Sequence, residues 1–160
     1  MKVVINTCFG GFSLSRAAVK RLAELQGRPC YFFENARLNG AIQLSRYVPS
    51  ENPPEDHRDM LFFAFDIPNP NEVLRDDTTW HNMSDAEKRE SGSIYGRHSL
   101  SNRPENRADP LLVQVIEELG KEANGACAEL KVVEIPDGVD YEIDEYDGLE
   151  HIAEKHRTWR

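Results

Sequence analysis

Apolar and polar positions along the 160 residues fall into short blocks that switch between strand and helix spacing. Lys2 to Thr7 (KVVINT) reads as a short strand, and Cys8 to Ser13 (CFGGFS) as a glycine-bearing turn. From Ser15 a helix begins, SRAAVKRLAELQ, closed by Gly27. Pro29 to Glu34 is a strand, Asn39-Gly40 a tight turn, and Ala41 to Val48 a second strand, which together predict a hairpin. Pro49 to Pro54 is a loop. Met60 to Ile67 (MLFFAFDI) is the most apolar run and predicts a buried central strand. The stretch from Pro68 to Arg107 is polar and reads as a long irregular segment at about 68–107. Its one helix signal is Ser84-Asp85-Ala86-Glu87, a capping box. Segments of this length in a compact domain are functional or mobile.

Asp109-Pro110 opens the best helix, an N-cap followed by a proline suited to the first turn. Leu111, Leu112, Val115, Ile116 and Leu119 then fall on one face, and the helix closes around Asn124-Gly125. Ala128 to Ile135 is a strand, and Pro136-Asp137-Gly138 a turn. Val139, Tyr141 and Ile143 alternate with acids, giving a strand with one wet face. Leu149 to Trp159 predicts a short terminal helix. The expected fold is α+β or mixed α/β: a single domain over residues 1–160. One mixed sheet would contain residues 2–7, 60–67 and 128–135, with two or three helices packed on it, one of them at 110–123.

Charge narrows the function classes. Residues 1–50 carry seven Lys/Arg against two acids, while residues 51–160 carry twelve against twenty-six. A net charge of −9 argues against nonspecific nucleic-acid binding, which needs a basic face. No apolar run is long enough for a signal peptide or a membrane span, so no membrane partner is expected. Cys8, Cys30 and Cys127 are widely spaced and lack a CxxC pair, which fits a reduced cytoplasm.

The candidate chemistry lies in two segments. A strand that feeds through glycines into a capped helix leaves backbone N–H groups at the positive end of the helix dipole, suited to a phosphate or carboxylate. The residues concerned are Gly10, Gly11, Phe12, Ser13, Ser15 and Arg16. The P-loop pattern is absent, and close packing of strand on helix is the plain alternative. The second segment, YGRHSLSNRPENR, brings Tyr95, Arg97, His98, Arg103 and Arg107 into an otherwise acidic chain. Arginines offer planar donors to phosphate, and Tyr95 or Trp80 offers a stacking face. Pairing of these arginines with surface carboxylates is the alternative reading.

Other constellations are weaker. Gly11-Phe12-Ser13-Leu14-Ser15 departs from the GxSxG nucleophile elbow at its last position. Cys8 reads as structural, because Arg16 lies too far on for a phosphatase loop. Residues 126–150 hold nine acids against Lys131 but no EF-hand spacing. His151, Glu154 and His156 miss the inverted zinc-protease motif by one residue. His57-Arg58-Asp59 reads equally as a polar strand edge or a site. Neither a metal site nor a cofactor is expected.

The opening KVVINTCFGGFSLS and the closing KVVEIPDGVDYEIDEYDGLEHIAEKHRTW resemble a family of small, uncharacterised proteins encoded by tailed bacteriophages. The resemblance covers both ends and the Arg-Ala-Asp-Pro helix start, and is looser through residues 50–100. It implies a protein working in the cytoplasm of an infected bacterium and names no reaction. With the phosphate-holding residues, it leads to the expectation of a protein that binds a phosphorylated small molecule or nucleotide without turnover, sequestering a host defence signal. An enzyme acting on such a ligand, and an inhibitor docking on a host protein by its acidic surface, are the alternatives. A homodimer is among the expected assemblies.

Overall fold

The computed structural model describes residues 1–37, 45–49, 62–73 and 82–155. The chain divides into two compact units, one formed by Met1–Gln26 with Asn102–Arg160, the other by Gly27–Ser101.

In the first unit, β1 (Lys2–Asn6) pairs antiparallel with β5 (Leu130–Glu134), Lys2 opposite Glu134 and Asn6 opposite Leu130. The helix α1 (Arg16–Leu25) turns Ala18, Val19, Leu22 and Ala23 inward. The last long helix, which we number α4 (Pro110–Leu119), buries Leu112, Val113, Val115 and Ile116. With Val3, Val4, Ile5 and Leu14 these side chains form the core of the unit. Asp109 caps α4 by accepting from the Leu111 N–H at 2.9 Å, with Pro110 at its first position, as its sequence predicts. A 3-10 turn (Gly120–Ala123) follows. The unit closes with a hairpin of β6 (Tyr141–Tyr146) and β7 (Leu149–Glu154).

The second unit holds β2 (Tyr31–Arg37), β3 (Ser45–Pro49) and β4 (Phe63–Phe65), all antiparallel with β2 in the middle. Ala64 and Phe65 are buried, as expected of the apolar run. The Phe65 ring meets Phe33 at 5.8 Å and Tyr95 at 5.7 Å. A short α2 (Pro70–Val73) precedes α3 (Asp85–His98). Ser84 forms the expected capping box with Glu87.

The fold class is α+β, as expected. The arrangement of strands differs from the expected single mixed sheet. Among the described residues the strands form three antiparallel sheets, and residues 63–65 pair with β2 rather than with β1. Apolar patterning marks a strand but does not name its partner. Residues 68–107 are not irregular throughout, because α3 spans fourteen of them. Its Ser91, Gly92, Ser93 and Gly96 interrupt any apolar stripe, and no side chain of α3 is fully buried. Leu149–Glu154 is a strand instead of the start of a terminal helix. The cause is Asp147-Gly148, both at positive φ (51° and 86°), the backbone of a two-residue hairpin turn. The Asn39-Gly40 turn, the 41–44 part of the expected second strand, the 50–54 part of the expected loop, His57-Arg58-Asp59, Met60, Trp80, His156 and Trp159 lie outside the described residues. No helix among the described residues is long and apolar enough to cross a membrane.

Candidate functional site

The site is assembled around the end of β1. Asn6, fully buried, donates from Nδ2 to the carbonyls of Cys8 (2.7 Å) and Gly148 (2.6 Å), and its Oδ1 accepts from the Glu129 N–H at 2.8 Å. Its own N–H donates to Glu150 Oε2 at 2.8 Å. One side chain thereby joins the 8–11 turn, the start of β5 and the hairpin tip. Gly10 (φ 118°) donates its N–H to the Asp147 carbonyl at 3.3 Å. A Cβ on Gly148 would lie 2.2 Å from the Gly11 nitrogen, so the two turns touch backbone to backbone.

The third wall comes from residues 102–107. The Leu14 N–H donates to the Asn102 carbonyl at 2.8 Å, and the Val4 N–H to the Arg107 carbonyl at 2.9 Å. This pins the segment alongside the turn and carries Arg103 and Arg107 to the cavity.

The cavity is an open cleft of about 380 Å³. Gly10, Gly11 and Phe12 form one side, Arg103 and Arg107 another, and Glu145, Asp147 and Glu150 the third. The Arg107 guanidinium carbon sits 3.2 Å from the centre of the Phe12 ring, a cation–π contact. Arg107 Nη2 donates to Glu150 Oε1 at 3.4 Å, while Nη1 is buried with no hydrogen-bond partner among the described residues. Burial pushes the Arg107 pKa down. Glu150 offsets part of this, and neighbouring Arg103 adds to it by like-charge repulsion. Arg107 is therefore a largely buried cation with a single long ion pair among the described residues. An anion in the cavity would relieve it.

The carboxylates are unequal. Glu150 uses both oxygens, on the Asn6 N–H and on Arg107. Glu145 stands opposite Glu150 in the hairpin register and accepts the Gly148 N–H on Oε1 at 2.6 Å. Asp147 is exposed and is held by its backbone carbonyl, which accepts from the Gly10 N–H.

The expected residues separate. Gly10, Gly11, Phe12, Arg103 and Arg107 share the cavity. Ser13, Ser15 and Arg16 are not in its walls. The Ser13 carbonyl accepts from the Gly125 N–H at 2.9 Å, and Ser15 caps α1 at 3.2 Å while donating to the Glu122 carbonyl at 2.6 Å. The helix start thus holds residues 122–125. Tyr95, Arg97 and His98 lie on α3 in the other unit. There the Arg97 carbonyl accepts from Arg28, and His98 pairs with Asp66 at 2.8 Å.

Glu145, Asp147, Gly148 and Glu150 went unrecognised in the sequence. Asp147-Gly148 between alternating runs is a hairpin signal, and it would have put the two glutamates face to face. His151 lies on β7, with Nε2 3.5 Å from Asp144. Comparison of the chain with protein-family models, with curated proteins and with solved structures finds no match.

Proposed function

We propose that this chain is a bacteriophage protein of the infected cell's cytoplasm that captures a phosphorylated small molecule or nucleotide, keeping a host defence signal from its receptor. The phage setting rests on the resemblance of the two terminal motifs. The ligand class rests on one observation: Arg103 and the largely buried Arg107 share a cavity with the Gly10–Gly11 turn. Two guanidiniums side by side match the several oxygens of a phosphate. The described walls contain no serine, cysteine, histidine or lysine, and Glu150 has both oxygens engaged. These features favour holding over turnover.

Isothermal titration with a panel of nucleotides and sugar phosphates tests the reading. Arg103→Ala should weaken the bound ligand by about tenfold to a hundredfold, the loss of a charge-assisted contact of roughly 1.5–3 kcal/mol. Mass spectrometry of the ligand released by denaturation should return it intact, and an altered product would make the protein an enzyme. If nothing in the panel binds, the proposal fails.

A further inference from the structure

We infer that the cavity takes a ligand whose phosphate is joined to a vicinal diol, as in a ribose 5-phosphate unit, with Glu145 and Asp147 reading the two hydroxyls. This rests on the phosphate reading above and adds the specificity that the acidic wall implies. A bare phosphate suits the arginines but not the rest of the cavity. Three carboxylates face two guanidiniums, so a purely anionic ligand would meet net repulsion on the hairpin side.

The wall has acceptors to offer. Glu145 has one oxygen beyond that used by Gly148, and Asp147 is held by its backbone carbonyl. Both residues are exposed and hydrated, so a ligand that displaces that water must present donors in its place. A cationic amine would supply them but would sit in the same 380 Å³ as Arg103 and Arg107, with like-charge repulsion. Neutral hydroxyls supply donors without that cost, and adjacent hydroxyls match the two oxygens of a carboxylate.

Glu145 is the cross-strand partner of Glu150, the residue that pairs with Arg107, so the acidic wall adjoins the arginines along the cavity.

The experiment is isothermal titration of the full chain with ribose 5-phosphate, 2-deoxyribose 5-phosphate and inorganic phosphate. It is repeated on Glu145→Gln and Asp147→Asn. Asparagine tolerates the positive φ at 147, so the turn survives that change. The wild type should bind ribose 5-phosphate about tenfold to a hundredfold more tightly than the deoxy sugar, the worth of a hydrogen bond to a charged acceptor. Inorganic phosphate should bind more weakly than either. The variant that loses the reader of the 2-hydroxyl should shrink the preference, and the other should weaken both sugars alike. Equal affinity for the two sugars in the wild type, lost in Arg103→Ala, would overturn the diol assignment and leave the phosphate reading standing. A preference that persists in both variants would overturn the role of the wall. No binding by any of the three probes would overturn both readings.

Discussion

Asn6 sits at the end of β1 with no exposed surface, and its amide satisfies two carbonyls and one N–H from three separate segments. Asn6→Ala takes that partner from all three part-buried groups. At about 1–3 kcal/mol for each orphaned group, the substitution should cost about 3 kcal/mol or more in urea unfolding, and the cavity should stop binding ligand. A loss below 1 kcal/mol would show that the three segments are held by other means. Asp66 carries a different kind of prediction. Burial pushes its carboxyl up, but the hydrogen bonds from His98 and Arg28 (2.9 Å to Nη2) outweigh burial and hold it below the usual carboxylate range. A depressed folded pKa means that the stabilisation is present above the unfolded value of about 4 and is lost as pH falls through the folded one. Melting temperatures of the wild type and Asp66→Asn should therefore differ from pH 7 down to about 4, and converge below it. A gap that stays constant in acid would contradict the ion pairs.

At the scale of elements, the two helices with the clearest apolar faces were legible, because periodicity and caps act locally. Leu112 is fully buried on α4, and Leu112→Ala should cost about 2–5 kcal/mol, as read by chemical denaturation. The hairpin tip is a stricter case. Gly148 has φ 86° and lies against the Gly11 backbone. Gly148→Ala combines backbone strain of about 1–3 kcal/mol with a collision that pushes the two turns apart, so ligand affinity should fall further than stability alone would predict. Affinity unchanged in a folded Gly148→Ala protein would remove the turn contact from the site. What the sequence hid was partnership. The short run FAF reads as a strand anywhere, and only its pairing with β2 says which sheet it joins. Tyr95, Arg97 and His98 were grouped with Arg103 and Arg107 because they are neighbours in sequence. The chain leaves one unit and enters the other between Ser101 and Asn102, a change with no mark in composition. The acidic wall was hidden for a related reason: solvated strand acids and cavity-lining acids have the same pattern, and only Asp147-Gly148 distinguishes them.

For the whole molecule, the connectivity of the first unit carries a consequence in time. Its opening strand pairs with residues 130–134, and its cavity draws on residues 10–12, 103–107 and 145–150. Among the described residues, the pairings of β2 with β3 and β4 in the second unit fall within residues 31–65, and one isolated bridge joins Phe65 to Ser99. Closing long loops is slow, while local pairings form early. In pulsed hydrogen exchange during refolding, the amides of Tyr31–Phe33 should gain protection before those of Val3–Ile5, and the reverse order would contradict this. On a ribosome adding about 5–20 residues per second, the first strand waits on the order of ten seconds for its partner. A nascent chain lacking β7 lacks Glu150, and with it the acceptor shared by the Asn6 N–H and Arg107. On the proposed reading, ligand capture would then begin only once synthesis has passed residue 150, so a ribosome-bound chain shorter than that should bind nothing.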